Sequence, residues 1–497
     1  MNPVNNPLLI GAVFVPLSCA AVGLLIARWQ RLQHSLAVVG GVISWLCSVG
    51  LFVATFEQGV QVYRLGGWET PFGIVLVADK LSALFGVMAS AVVAAGLLYA
   101  LGCTEQCVRY PIFMPLFLCM GAGLSGALYT GDIFTLFVFI ELMVVSSVAL
   151  VAVSDNRLGL EAAIKYIFIS GMGTLFLLIA IGALYATFGT LNIADIAQKL
   201  SGGARPLLAQ AAAVMLMCAF LLKSAVFPFH FWQPDFHTTA PTPIHSVLSS
   251  VVVKIGVYGL IRMVTVLFIA EAAFIGQLLV ILGVIGIFFG SLGALRTYDA
   301  KRMLAYSTFG QIGFILVAIG WNTPVALIGA LVYAFNHAFI KSALLMLTGV
   351  VTSRTSPKTG EITKLGGAGK GMSLTSVLYL LGGLALAGVP PMNGFISKVA
   401  LVRGGIDAAG WVALFLAVGA GLLTMQYMIG MWAHIFQKAP PEGKKTKPSG
   451  DSPLAPLLLI SACVLLGIFA APLVDWATQT VRDLGDPNLY IRAVLGS

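Results

Sequence analysis

The chain has 497 residues, of which 59% are hydrophobic and only 9% are charged, and its mean hydropathy is +0.97. Soluble globular domains carry about 25% charged residues, so this composition excludes a soluble protein, a disordered chain and a disulfide scaffold. The net charge of +9 does not indicate a nucleic-acid partner, because most of the basic residues lie between long apolar runs. Runs such as 112–128 and 454–474 are apolar on every face, which favours membrane-spanning helices over the alternating strands of a barrel.

A membrane-spanning helix needs about 20 mostly apolar residues, and the chain offers fourteen such segments. In chain order they are 7–27, 36–56, 81–101, 111–128, 132–152, 162–188, 207–229, 241–264, 273–294, 302–320, 325–350, 374–401, 411–436 and 454–474. The first segment has no basic flank and no convincing cleavage site, so we expect it to be retained as a helix. Prolines interrupt two segments, the seventh at Pro228 and the twelfth at Pro390 and Pro391.

The basic residues between the segments predict their orientation. Most loop Lys and Arg residues lie in odd-numbered loops, and the strongest clusters are at 351–373 and 437–453. By the positive-inside rule these loops face the cytoplasm, which places both termini on the outer side of a cell (inner) membrane. No loop is long enough for a nucleotide-binding domain, so any ion movement must be driven by a gradient or by a partner.

Six ionisable residues inside the predicted helices need an explanation, because a charge at the bilayer centre costs about 2.5–3.5 kcal/mol. They are Glu141, Lys165, Lys223, Lys254, Lys341 and Lys398. Glu141 is the single acidic residue that we place deep in a helix, and an ion pair with a lysine would offset its burial. Lys165 follows Glu161 by four residues, so a structural ion pair explains it equally well. A desolvated lysine takes up and releases protons at physiological pH, so a row of buried lysines predicts a proton relay.

Histidines extend this row. His337 and Lys341 lie four residues apart on one helical face, and His245 lies inside the eighth segment. We expect His230 and His237 in a short cytoplasmic loop, either as a proton entry point or simply solvated. Because histidine titrates near neutrality and shuttles protons, His245, His337 and Lys341 are secondary candidates for the relay, with a packed core role as the alternative.

The two interrupted segments lie five helices apart, and each holds a lysine. Lys223 precedes Pro228, and Lys398 follows the Pro390–Pro391 pair. Discontinuous helices at corresponding positions are typical of transporters with internal repeats. We therefore predict an all-α polytopic protein with two five-helix repeats, the second inverted, and with discontinuous seventh and twelfth helices. The predicted regions are an N-terminal three-helix region at 1–110, a first repeat at 111–264, a second repeat at 273–436, and a basic loop, last helix and tail at 437–497.

We expect no metal site and no cofactor. None of the seven cysteines has zinc or iron–sulfur spacing, and the glycine-rich run 366–371 lacks the spacing of a phosphate loop. A sodium site needs several oxygen ligands, whereas the predicted membrane interior is net positive. If sodium is moved, we do not expect this chain alone to provide its site.

Four motifs resemble a known family. They are KSAVFPFHFWQPDFHTTAPTP, AYSTFGQIGF, NHAFIKS and GVPPMNGFISK. They are similar to the proton-translocating antiporter-like subunits of respiratory complex I, membrane-bound hydrogenases and Mrp-type cation/proton antiporters, over about residues 80–435. In that family a Glu on the fifth helix pairs with a Lys on the broken seventh, and residues on the eighth and the broken twelfth continue the path. The resemblance implies these roles for Glu141, Lys223, Lys254 and Lys398.

Within the family, the stretch YRLGGWETPFGIVLVADKLSALF and the total length are most similar to D-type subunits of Mrp antiporters. The resemblance implies a proton-translocating subunit of a multisubunit sodium/proton antiporter, with other membrane subunits as partners. The alternative is an antiporter-like pumping subunit of a redox complex, either an NADH:quinone oxidoreductase or a membrane-bound hydrogenase. A third hypothesis is a membrane scaffold whose lysines have no role in transport. A secondary transporter subunit is favoured over an enzyme.

Overall fold

The computed structural model describes residues 5–154, 156–203, 206–355, 358–439, 447 and 450–496. Most of these residues are helical. The first eleven helices are α1 (Pro7–Leu25), α2 (Gln30–Gln58), α3 (Lys80–Leu101), α4 (Phe113–Tyr129), α5 (Ile133–Ala152), α6 (Arg157–Phe188), α7 (Ile193–Ser201), α8 (Leu207–Lys223), α9 (Trp232–Thr239), α10 (Thr242–Val247) and α11 (Lys254–Arg262).

The second half of the chain is equally helical. Its helices are α12 (Ala272–Arg296), α13 (Ala300–Trp321), α14 (Pro324–Ser353), α15 (Ile362–Leu365), α16 (Ser373–Ala387), α17 (Asn393–Asp407), α18 (Trp411–Phe436), α19 (Leu454–Ile468), α20 (Ala471–Leu484) and α21 (Pro487–Leu495). A π-helical turn, Leu248–Val252, joins α10 to α11, and a second one extends α11, so that Thr242–Leu267 forms one span. An antiparallel hairpin of β1 (Gln61–Arg64) and β2 (Val75–Ala78) connects α2 to α3.

Ten of the described helical segments are long and apolar enough to cross a membrane, or eleven when the bent pair α19–α20 counts as one span. Three shorter apolar helices, α4, α8 and α16, fall where the fourth, seventh and twelfth segments were predicted. A multi-pass helical membrane protein is therefore confirmed. The count of fourteen and the two inverted repeats stay predictions.

Both predicted interruptions are present. α8 ends at Lys223, ahead of Pro228, and α9 follows after a turn. Residues 388–392, which include the Pro390–Pro391 pair, separate α16 from α17. Proline lacks a backbone N–H and clashes with the preceding helical turn, so neither segment continues as a regular helix. The two lysines lie on opposite sides of their breaks, because Lys223 ends the first half-helix whereas Lys398 belongs to the second.

The last predicted segment, 454–474, ends earlier than expected. α19 stops at Ile468, and α20 is bent away from it by 79°. α20 then lies on the start of the bundle, where Trp476 packs edge-on against Phe52 with ring centroids 4.9 Å apart. Lys80 forms an ion pair with Asp483 at 3.1 Å. The hairpin, the start of α3 and helices α20 and α21 thus lie together, and we call this the hairpin end.

The opposite end of the bundle gathers loops that were predicted to share one side of the membrane. Lys358 Nζ, after α14, lies 2.5 Å from a carboxylate oxygen of Glu105, after α3. Asp451, before α19, accepts from the backbone N–H of Thr104 at 2.8 Å. We call this the basic end. Much of the basic loop at 437–453, including the lysines of 440–446, lies outside the described residues.

Arg262 is the last residue of α11 and lies near the end of the predicted segment 241–264. The structure buries it inside the bundle, where Nη1 and Nη2 donate to the two carboxylate oxygens of Asp79 at 2.6 and 2.5 Å. The rings of Tyr258 and Tyr490 lie 5.2 and 5.1 Å from the guanidinium carbon. A bidentate pair with aromatic neighbours offsets the cost of burying both charges. The pair joins α3, α11 and α21 near the hairpin end.

Candidate functional site

Glu141 and Lys223 do not form the direct ion pair that was predicted. Thr174 Oγ1, on α6, lies 2.5 Å from Glu141 Oε1, and Lys223 Nζ lies 3.2 Å from the same threonine oxygen. Lys223 also donates to Ser170 Oγ at 2.6 Å and to the Ser170 carbonyl at 3.3 Å. The physical reason is that α6 packs between α5 and α8, so its hydroxyl groups occupy the space between the two charged residues.

Lys223 finds hydrogen-bond acceptors for its ammonium group without a carboxylate in direct contact. Its side chain is buried, whereas Glu141 is only half-buried on α5. An ammonium group has three N–H donors, and α6 offers three oxygen acceptors, two from Ser170 and one from Thr174. All three acceptors are neutral. The nearest carboxylate is therefore one hydroxyl group away from the lysine.

Lys254 lies in the middle of the span Thr242–Leu267 and is 1% exposed. Its Nζ donates to the carbonyl of Ser250 in the π-helical turn and lies 3.1 Å from Nδ1 of His337 on α14. π-helical turns are rare in proteins overall, but those that occur are often found at functional sites. The turn and the imidazole together give this lysine polar partners that carry no fixed charge.

Lys341 lies one helical turn beyond His337 on α14 and is fully buried. Among the described residues its Nζ has no hydrogen-bond partner, and neither has Nε2 of His337 or Nε2 of His245. Buried polar atoms nearly always bond to protein or to water. α10, which carries His245, packs against α14, so these three groups fall in one region of the bundle.

His237 was expected in a short loop, either as a proton entry point or simply solvated, and its placement in a loop is wrong. The residue belongs to α9, is 0% exposed, and its ring stacks on that of His245 with centroids 5.2 Å apart. α9 packs against α6 and α13, which turns the predicted loop into part of the interior. His230 is half-buried and contacts the ring of Phe289 edge-on at 4.3 Å.

Lys398 is held at the broken twelfth segment. Its Nζ donates to the carbonyl of Ala387, the last residue of α16, at 2.5 Å. The last carbonyls of a helix lack intrahelical partners and carry the negative end of the helix dipole, so they favour an ammonium group. The lysine lines a cavity of about 360 Å³ whose other walls include Phe314 and Met425.

Amides and hydroxyls fill the region between the eighth and the twelfth segments. Tyr333 OH donates to Gln311 Oε1 at 2.6 Å, which joins α14 to α13. Asn336, the neighbour of His337 in the chain, donates to Ser397 Oγ at 3.0 Å. Ser397 directly precedes Lys398 on α17. Asn336 therefore provides a polar contact between α14 and α17.

Lys165 takes no part in this row. Its side chain is exposed and lies 2.6 Å from Glu161 and 3.3 Å from Asp235. The interpretation as a structural ion pair is confirmed. Because two carboxylates already balance its charge at the surface, this lysine needs no role in transport to explain it.

At the basic end, Glu105 hydrogen-bonds the first residue of α10, the helix that carries His245. Its carboxylate accepts from Thr242 Oγ1, at the start of α10, at 2.6 Å, and from Lys358 at 2.5 Å. Burial alone would raise the pKa of Glu105, but the positive charges of Lys301 and Lys358 outweigh it and lower the pKa to about 2. The ionised carboxylate thus holds the loop after α14 against the start of α10.

A sulfur and two carboxylates meet next to this contact. Ligand atoms of Cys103, Glu105 and Asp451 lie within 4.8 Å of one another, although Asp451 is 348 residues away from Cys103. Asp451 accepts from Tyr99 OH at 2.6 Å and from Thr104 Oγ1 at 2.7 Å, and burial raises the pKa of the Cys103 thiol. Because these oxygens already accept hydrogen bonds, we interpret the cluster as the attachment of the segment before α19 to the end of α3.

The chain matches a known protein family. The family described as "NADH:quinone oxidoreductase/Mrp antiporter, TM" matches residues 130–424. The chain belongs to this family. The matched region runs from the start of α5 into α18, so it includes Glu141, Lys223, Lys254 and Lys398.

Individual relatives match the chain over nearly its whole length. The D subunit of the Na(+)/H(+) antiporter of Alkalihalophilus pseudofirmus is 30% identical and aligns over 99% of each chain. A chain of the Mrp complex from Dietzia sp. is 25% identical, with a TM-score of 0.91 and 99% of each chain covered. A chain of the membrane-bound sulfane sulfur reductase, an archaeal respiratory membrane complex, is 27% identical with a TM-score of 0.90, and 99% of this chain and 100% of that one are covered. The predicted resemblance to D-type antiporter subunits is confirmed.

We expect Glu105→Gln to reduce stability in a pH-dependent way. The pKa of Glu105 is about 2 in the folded protein, below its ordinary value of 4.5. The ionised side chain therefore stabilises the fold above about pH 4.5, and this stabilisation is lost as the pH falls towards 2. The variant should show a lower Tm than the wild type at pH 7, and the difference should shrink as the pH falls from about 4.5 towards 2.

The measurement is thermal unfolding of the purified protein across this pH range. Asp475→Asn, which removes an exposed carboxylate on α20, is the matched control and should leave the profile unchanged. A Glu105→Gln protein with the wild-type Tm at pH 7 would contradict the proposed attachment.

Proposed function

We propose that the chain is a proton-translocating subunit of a multisubunit sodium/proton antiporter. The observation that supports this most directly is the way its buried lysines are held. Lys223, Lys254 and Lys398 each contact hydroxyl, carbonyl or imidazole groups rather than a carboxylate. A lysine held in this way gains or loses its proton without breaking an ion pair, which is the property that a relay requires.

The proposed path begins at the basic end. Protons enter past the stacked rings of His237 and His245 and reach Lys341 and His337, whose unpartnered nitrogen atoms suit bridging water. His337 then exchanges the proton with Lys254 across 3.1 Å. The hydrogen-bonded side chains of α13, α14 and α17 extend the path towards the broken twelfth segment.

Like-charge repulsion makes such a path move protons in steps. Two unit positive charges in a low-dielectric interior repel each other more strongly than in water. A proton on Lys254 therefore disfavours a second one on Lys341, and a proton that arrives drives another one onwards. Glu141 and Lys223 are the proposed members of the relay in the first predicted repeat.

We also propose the arrangement in the membrane. Both termini lie on the outer side of the cell (inner) membrane, and the regions are 1–110, 111–264, 273–436 and 437–497, as the sequence predicts. The chain needs other membrane subunits as partners. Glu141 supports this requirement, because a half-buried carboxylate on a membrane-spanning helix is costly beside lipid and is better covered by a neighbouring subunit.

A pumping subunit of a redox complex is the second candidate. The similarity to a chain of a respiratory membrane complex, at 27% identity and a TM-score of 0.90, favours it. The same row of buried lysines would also suit such a pump, since both an antiporter and a redox-driven pump need side chains that bind and release protons across the membrane. The energy source is what separates the two candidates.

The assembled complex, purified through a tag on this chain and reconstituted into vesicles, tests the proposal. We expect an imposed sodium gradient to drive proton movement, measured with a pH-sensitive dye, without an electron donor. Vesicles that carry the complex with Lys223→Met are the control and should give the background signal. Proton movement that requires an electron donor and ignores sodium would establish the redox alternative instead.

We expect Lys398→Met and Lys398→Arg both to impair proton translocation in the assembled complex. Methionine removes the ionisable group, and a guanidinium does not release its proton in a protein. The competing view is that Lys398 only anchors α17 through the Ala387 carbonyl, and an arginine would then serve equally well. A fully active Lys398→Arg complex would therefore exclude Lys398 from the relay. Assembly is checked by the amount of complex recovered.

A further inference from the structure

Thr174 lies between Glu141 and Lys223, and the proposed proton path does not include it. It lies on α6, it is buried, and its hydroxyl group is the shared contact of Glu141 and Lys223. The oxygen is 2.5 Å from Glu141 Oε1, 3.2 Å from Lys223 Nζ and 2.9 Å from the carbonyl of Ser170. Two acceptors therefore compete for the single proton of this hydroxyl group.

The two acceptors correspond to two charge states of Glu141. O–H···O⁻ hydrogen bonds are short, at about 2.5–2.7 Å, so the 2.5 Å contact fits donation to an ionised carboxylate. When Glu141 is protonated, the threonine proton is free to bond the Ser170 carbonyl, which is the usual bond of a threonine to the residue four positions earlier in a helix. In both arrangements a lone pair of Thr174 Oγ1 remains for Lys223.

We propose that Thr174 is a proton-transfer residue that connects Lys223 to Glu141, an inference that rests on the proposed function. An N–H bond of the Lys223 ammonium breaks, and its proton forms a new O–H bond on Thr174. The original hydroxyl proton of Thr174 moves to Glu141 Oε1. The products are a neutral amine, a neutral carboxylic acid and an unchanged threonine, so no proton is gained or lost.

The other ionisable groups on the helices around α6 do not offer this connection. Glu161, Lys165 and Asp235 pair with one another at the start of α6. On α7, Asp195 pairs with Lys199 at 3.0 Å. On α9, the ring of His237 stacks on His245.

Two neighbours of Thr174 on its own helix have different roles. The ring of Tyr166, one turn before Ser170, is stacked on Phe236. Ser170 accepts hydrogen bonds from Lys223, and among the described residues no hydrogen bond joins it to Glu141, so its role is to position the lysine. Within the described residues, Thr174 alone hydrogen-bonds both members of the pair.

The test compares proton flux through reconstituted complexes that carry single substitutions. Thr174→Val removes the hydroxyl group at nearly constant size, Thr174→Ala removes it without adding bulk, and Thr174→Ser retains it. We expect Val and Ala to lower the flux about tenfold or more and Ser to stay within about twofold of the wild type. Thr187→Val is the matched control, because Thr187 lies on the same helix and bonds only the Ala183 carbonyl; it should leave the flux unchanged.

The pH profile separates proton transfer from a loss of structure. Without the hydroxyl group, the charged forms of Glu141 and Lys223 each lose a hydrogen bond and become less favourable. In Thr174→Val the acidic limit of activity should therefore move to higher pH and the alkaline limit to lower pH. A uniform decrease at every pH, with no rescue by Thr174→Ser, would overturn the inference. So would wild-type flux in both Thr174→Val and Thr174→Ala while Lys223→Met stays inactive, a result that leaves the proposed function intact. Wild-type flux in Lys223→Met would refute the proposed function itself.

Discussion

The burial of positive charge without a touching carboxylate is the constraint on which this structure depends. Each buried lysine needs oxygen or nitrogen acceptors in a region where a regular helix has already used most of its carbonyl groups. Lys223 uses hydroxyl groups and a carbonyl of α6, whereas for Lys254 and Lys398 the fold supplies acceptors by departing from regular helices. Lys398 takes the free carbonyl of Ala387 at the end of α16, and Lys254 takes that of Ser250 in the π-helical turn. The second break and the π-turn thus free the carbonyl groups that these two lysines use.

Other charges in the same bundle show the contrasting arrangement. Asp79 and Arg262 are bonded at both carboxylate oxygens near the hairpin end, and Glu105 is held by Lys358 at the basic end. A direct, bidentate or multiply bonded pair is costly to separate, so these groups keep a fixed charge. Fixed pairs at the two ends hold the helices in place, while Lys223, Lys254 and Lys398 have neutral hydrogen-bond partners.

The sequence predicted the parts of this picture that local patterns encode. The composition indicated a helical membrane protein, the prolines predicted the breaks before α9 and α17, and the cost of buried charge singled out Lys223, Lys254 and Lys341, which the structure buries. It could not predict which side chains face one another across helices. The Lys254–His337 contact joins residues 83 apart in the chain, and Thr174 gave no signal of its own because a threonine in an apolar helix is common. His237 was misplaced because the short helix α9 is rich in polar residues and resembles a loop in sequence.

Lys254 is the central member of the row, and its replacement tests the account most directly. The measurement is proton flux through the reconstituted complex carrying Lys254→Met, with Lys165→Met as the control, since Lys165 is exposed and paired with Glu161. If the buried lysines relay protons, Lys254→Met should reduce the flux to background while the complex assembles normally, and Lys165→Met should leave it unchanged. Wild-type flux in an assembled Lys254→Met complex would contradict the account.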